Sequence, residues 1–181
     1  MFTSDDETLL LSLAHQAIIA HIDGKLPLSP PPHSPLLEAK RGCFVCIKRQ
    51  KNLRGCLGVF TSDKPLIVLV PELAIAAANH DPRFHPVTIL EAAELQVEIS
   101  ILSPLKPVHE TEEIEVGRHG IYIVQGGKSG VLLPQVATEQ GWDRETFLQQ
   151  TCIKAGLPFD AWEKGASISS FTAHIFGDPS P

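Results

Sequence analysis

The hexapeptide Leu53-Arg54-Gly55-Cys56-Leu57-Gly58 sets a guanidinium and a thiol two residues apart, among glycines. Side chains alternate along a strand, so Arg54 and Cys56 are expected on one face. There the guanidinium would favour the thiolate, the form of cysteine that acts as nucleophile or ligand. Gly55 and Gly58 remove side-chain bulk, which lets a ligand or another backbone come close. If a strand at 94–102 joins the same sheet, Glu98 and Ser100 share that polar face and could complete a cleft floor. Cys56 would then be a nucleophile or contact, and Glu98 would orient Arg54 or serve as base. The plainer alternative pairs Arg54 with Glu98 and leaves Cys56 as a small buried hydrophobe.

Three further segments could add chemistry. Asp81-Pro82-Arg83-Phe84-His85-Pro86 sits between prolines, where Arg83 could hold a carboxylate or phosphate, or could tie the end of a helix to Asp81. His119 follows Gly117-Arg118 and could act as acid, base or ligand, or simply bond backbone. Gln135 stands at a helix start, where it could orient an amide or carboxylate, or could cap. The eight histidines form no His-Glu-x-x-His and no close pair, so neither a metal nor another cofactor is expected. Cys43 and Cys46 match Cys-x-x-Cys but lie on an expected strand, where residues three apart face opposite sides and cannot chelate together. With no export signal in the sequence, a disulfide framework is not expected either, and Cys152 reads as structural.

These residues need elements to position them. A helix is expected over 4–23, capped by Ser4 and closed at Gly24. A proline-rich strap at 25–37 follows, then strands at 41–49 and 53–60 joined through Gln50-Lys51-Asn52. Residues 65–80 read as a helix kinked or restarted at Pro71. In the second half, strands near 120–125 and 129–133 flank Gly126-Gly127-Lys128. Helices run from Pro134 to Gly141 and from Asp143 to Ala155, and a last strand at 167–176 leads to a flexible tail at 177–181. Without a regular βαβ rhythm, the fold class is α+β with a mostly antiparallel sheet flanked by helices, as a single domain over 1–181. The chain is 43% hydrophobic with a net charge of −6, which supports a real core and gives no electrostatic footprint for nucleic acid. No apolar run is long enough to span a bilayer, and the acidic start cannot serve as a secretory n-region, so a cytoplasmic protein is expected.

Taken in order, these motifs resemble the AMMECR domain family, named for a human chromosomal disease region. The matching pieces are Leu53 to Gly58, Asp81-Pro82-Arg83-Phe84, Val97-Glu98-Ile99-Ser100, His119-Gly120, Leu132 to Ala137 with Glu139 to Asp143, and Cys152 to Leu157. Leu57 replaces the usual isoleucine and Val59 a common threonine. The resemblance implies two unequal subdomains with the hexapeptide near a cleft between them. It also implies Memo-like and radical S-adenosylmethionine (radical SAM) proteins as partners, and it supplies no reaction. The functional expectation is a cleft for a small anionic ligand or a modified group, held by Arg54 and Arg83, with cysteine-dependent turnover left open. Its rival is a non-catalytic accessory module that docks those partner proteins.

Overall fold

The computed structural model describes residues 2–25 and 29–179. Among them it shows an α+β protein whose strands pair antiparallel wherever partners are assigned. Two compact units form, one from the residues up to Ile101 together with the segment from His174, the other from Leu102–Ala173.

In the first unit, helix α1 spans Ser4–Ile22, strand β1 Cys43–Arg49, strand β2 Asn52–Val59, helix α2 Leu66–Asn79, helix α3 Ile89–Ala92 and strand β3 Leu95–Leu102. The cap of α1 is Thr3 and not Ser4. Thr3 Oγ1 accepts from the Asp6 amide while the Asp6 carboxylate accepts from the Thr3 amide, which satisfies donors at both ends of the turn. Helix α2 continues through Pro71 without restarting, although the proline cannot donate to the carbonyl of Ile67. Strand β1 runs between β2 and β3. Its Cys43, Val45 and Ile47 are fully buried with Leu66, Val70, Leu73 and Ala74 of α2, which in turn packs on α1. Burying each such aliphatic side chain contributes about 1.5–3 kcal/mol.

The second unit holds strands β4 (Lys106–Pro107), β5 (His119–Gln125), β6 (Lys128–Leu132) and the first part of β7 (Ser167–Gly177), with helices α4 (Pro134–Gln140) and α5 (Arg144–Lys154). Ile121, Ile123 and Leu132 bury against Phe147, Leu148 and Cys152 of α5 and Ala137 of α4. Asp143 caps α5 as expected, its Oδ1 accepting from the Thr146 amide at 2.8 Å.

Part of the expected strap, residues 26–28, lies outside the described residues, as do 180–181 of the tail. The remainder of the tail is pinned. Asp178 donates its amide to the Val97 carbonyl at 3.0 Å, and its Oδ2 accepts from the Val97 amide at 2.7 Å and pairs with His15.

Candidate functional site

The hairpin between β1 and β2 turns at Gln50 and Lys51, both with positive φ. From Arg49↔Asn52 the register steps to Lys48↔Leu53, then to Ile47↔Gly55, leaving Arg54 as the extra residue of a β-bulge. Beyond the bulge Cys46 stands directly opposite Cys56, and the two are joined as a disulfide. This overturns two expectations. Cys56 is not a free nucleophile in this state, and the chain does carry a disulfide. Cys43 and Cys152 remain free and buried, and burial pushes the Cys43 thiol up to about 12.

The bulge also interrupts the alternation that was to bring Arg54 to the face of Cys56. The Arg54 guanidinium turns to Glu91, with Nε at 3.0 Å from Oε1 and Nη2 at 3.3 Å from Oε2. It further donates to the carbonyl of His85 at 2.8 Å and of Pro86 at 3.3 Å. Those bonds take four of its five N–H groups, so Arg54 latches β2 to the loop before α3. Glu91, also accepting from Thr88, is held at about 2, well under its ordinary range, by the guanidinium first and the Thr88 amide next. Glu98 pairs instead with Lys48, Nζ to Oε2 at 2.8 Å.

Neither glycine of the hexapeptide leaves room for a ligand. A Cβ on Gly55 would lie 2.1 Å from the Ala77 carbonyl oxygen of α2, and one on Gly58 would lie 2.4 Å from the Phe44 ring. Of the two uses anticipated for these glycines, close approach of protein is the one realised. Ser100 does face Phe44 across β1–β3, but it is only 3% exposed.

Around the Cys56 backbone the sequence is more productive. Strand β2 is paired on one side by β1, and the outward amide of Cys56 donates to Asp81 Oδ2 at 2.9 Å. Asp81, 3% exposed, also receives Arg83 Nε on Oδ1 at 2.9 Å and Nη2 on Oδ2 at 2.7 Å. These donors, Arg83 foremost, hold its carboxyl far below the usual carboxylate range. Arg83 Nη2 reaches the Cys56 carbonyl at 3.4 Å, while the Arg83 side chain stays 55% exposed. An exposed cation is thus fixed on the Cys56 backbone by a buried anion.

The remaining expected residues lie in the second unit. His119 opens β5, and its Nδ1 accepts from the Glu115 amide at 3.1 Å, the backbone role that was its plainer alternative. Gln135 is the second residue of α4, and its Oε1 is buried without a hydrogen-bond partner among the described residues. Those residues hold no group of three or more His, Cys, Asp or Glu placed to bind a metal ion.

Sequence reasoning missed Cys46 and Glu91 as the real partners of Cys56 and Arg54, while the Asp81–Arg83 pair was the plainer alternative. Counting outward from the Gln50-Lys51 turn would have placed Cys46 one residue away from Cys56, so only the bulge was hidden. The short helix that carries Glu91 had a signal in Thr88-x-x-Glu91, a capping box.

Comparison with known proteins identifies the class. The AMMECR1 family model matches residues 11–176, and the chain belongs to that family. Protein MK0488 of Methanopyrus kandleri is 40% identical over 99% of this chain and 91% of its own length. A protein of Methanothermobacter thermautotrophicus is 42% identical over 95% of this chain and 94% of its own. The crystal structure of the uncharacterised protein PH0010 from Pyrococcus horikoshii superposes with a TM-score of 0.84 at 40% identity, covering 95% of this chain and 91% of that one. Among the described residues no helix is long and apolar enough to cross a membrane.

Proposed function

We propose that the first unit binds a small anionic ligand at Arg83, beside Cys56. The observation that carries this reading is the Asp81 clamp. It engages Nε and Nη2 of Arg83, and Nη1 makes no hydrogen bond among the described residues on a side chain that stays 55% exposed. A guanidinium held in place loses less rotamer entropy on binding, and its remaining N–H groups make charge-assisted bonds to carboxylate or phosphate oxygens. The clamp also sets the limit of the site, because the Asp81 charge offsets part of the attraction and affinity for a bare anion should be modest. Turnover through Cys56 requires that its sulfur be free, and a cytoplasmic setting belongs to the same proposal.

Inorganic phosphate and a simple carboxylate serve as probes, followed by amide chemical-shift titration. Arg83→Ala should abolish the saturable shift around Cys56, whereas Arg54→Ala should retain it at reduced protein stability. Equal phosphate binding by Arg83→Ala and the unaltered protein would refute the site.

One observation favours a second reading, in which the domain is a docking module. Ile89 and Leu90 of α3 are 51% and 85% exposed next to the Arg54–Glu91 latch. The Memo-like and radical SAM proteins that the resemblance implies are the partners to test. Loss of their capture by Leu90→Glu, with Arg83→Ala unaffected, would favour docking over ligand binding.

A further inference from the structure

The backbone ladder holds the two sulfurs opposite one another independently of the bond between them. Val45↔Leu57 and Ile47↔Gly55 flank the Cys46↔Cys56 pair, and the Asp81–Arg83 clamp grips the Cys56 amide and carbonyl from the other side. A Cys46–Cys56 pair opened by reduction would therefore stay poised to close, since no backbone search is needed to bring the thiols together. Access differs between the cysteines as well. Cys46 and Cys56 are half-buried, whereas Cys43 and Cys152 are fully buried. Cys46 and Cys56 are therefore the cysteines that present surface to an external thiol, and Cys43 and Cys152 present none. Lys48, two residues from Cys46 on the same face, is paired with Glu98, and Arg83, bonded to the Cys56 carbonyl, is paired with Asp81, so each of these charges is matched by its opposite.

We propose that Cys46 and Cys56 are a reversible dithiol/disulfide pair that exchanges with an external dithiol, and that this exchange decides whether Cys56 offers a thiol beside Arg83. A thiolate of the dithiol attacks Cys56 Sγ, the S–S bond breaks, and Cys46 leaves as thiolate with the bonding electron pair. The second thiolate of the reagent then attacks its own sulfur in the mixed disulfide and releases Cys56. The reagent departs as a disulfide, its two protons pass to Cys46 and Cys56, and the reverse sequence restores the bond. The exchange stands on the hairpin alone. Only its consequence for ligand chemistry rests on the anion site proposed above.

The test uses the full chain, equilibrated in mixtures of reduced and oxidised dithiothreitol, quenched with N-ethylmaleimide and mapped by peptide mass spectrometry. Cys46 and Cys56 should acquire label together as the mixture becomes reducing, while Cys43 and Cys152 stay unlabelled and the circular dichroism stays native. Oxidised dithiothreitol should return the pair to the disulfide. Labelling that appears only in denaturant, reduction that unfolds the chain, or failure to re-form the bond would each overturn the proposal. In Cys46→Ser, Cys56 should label without reductant at least about tenfold faster than the two buried thiols. A folded Cys46→Ser protein whose Cys56 resists label would also overturn it. Phosphate titration of both redox forms keeps the two readings apart. Absence of binding in either form removes the anion site, while the labelling result judges the exchange alone.

Discussion

Hairpins β1–β2 and β5–β6, one in each unit, make the same tight turn with different residues. Gly126 and Gly127 take positive φ in the second, as the Gly-Gly signal anticipates, and five residue pairs then follow in regular register from Gln125↔Lys128 to Ile121↔Leu132. In the first, Gln50 and Lys51 adopt φ of 50° and 67° with side chains that disfavour it, at about 1–2 kcal/mol each. The bulge at Arg54 follows. Cys46, Cys56 and Arg54 sit on the irregular hairpin, and the Asp81–Arg83 clamp bonds its edge from the loop after α2. A bulge re-aims side chains, which is how one hairpin acquires both a disulfide and a latch.

The contrast can be broken most forcefully at Gly55. Gly55→Ala drives a Cβ into the Ala77 carbonyl and should lose about 3 kcal/mol or more by urea unfolding. Gly126→Ala in the regular hairpin meets open space and should lose only the positive-φ penalty of about 1–2 kcal/mol. Comparable losses at the two positions would end the claim that α2 seats on the hexapeptide.

Arg54→Ala comes next, at about 2 kcal/mol, because it strands a largely buried Glu91 carboxylate. Glu91 titrates near 2 when folded against an ordinary 4.5, so its contribution is complete above pH 4.5 and fades as pH falls toward 2. Unfolding measured across that window should show the variant losing part of the slope. An unchanged slope would mean the latch is not what depresses Glu91.

The smallest effect sharpens the comparison from the other side. Lys51→Gly should stabilise the protein by about 0.5–1 kcal/mol, relieving the turn and making it resemble its counterpart. A thermal melt that moves down would show that the Lys51 side chain contributes something the turn geometry does not reveal.

Legibility followed the same division. Strand β3, with Leu95, Val97, Ile99 and Ile101 inward, and helix α5, bracketed by Asp143 and Gly156, were readable because period and caps are local properties. The β5–β6 turn was readable because glycine pairs announce it. Arg54 and Cys56 were rightly singled out as unusual, yet their partners were misassigned. The assumption of unbroken alternation sent Arg54 toward Glu98, and the bulge sends it to Glu91. Asp81 and Arg83 were paired correctly as an alternative because two residues in one rigid turn meet without any help from the rest of the fold.

By itself the sequence determined the α+β class, most of the elements and the family, since each rests on patterns that a short window or an ordered set of motifs contains. Tertiary structure alone decided that Cys56 meets Cys46, that Glu91 takes Arg54, and that the two glycines serve packing. The physical reason is that strand register accumulates along a ladder, so one extra residue at Arg54 changes every partner beyond it while leaving no trace in composition or periodicity.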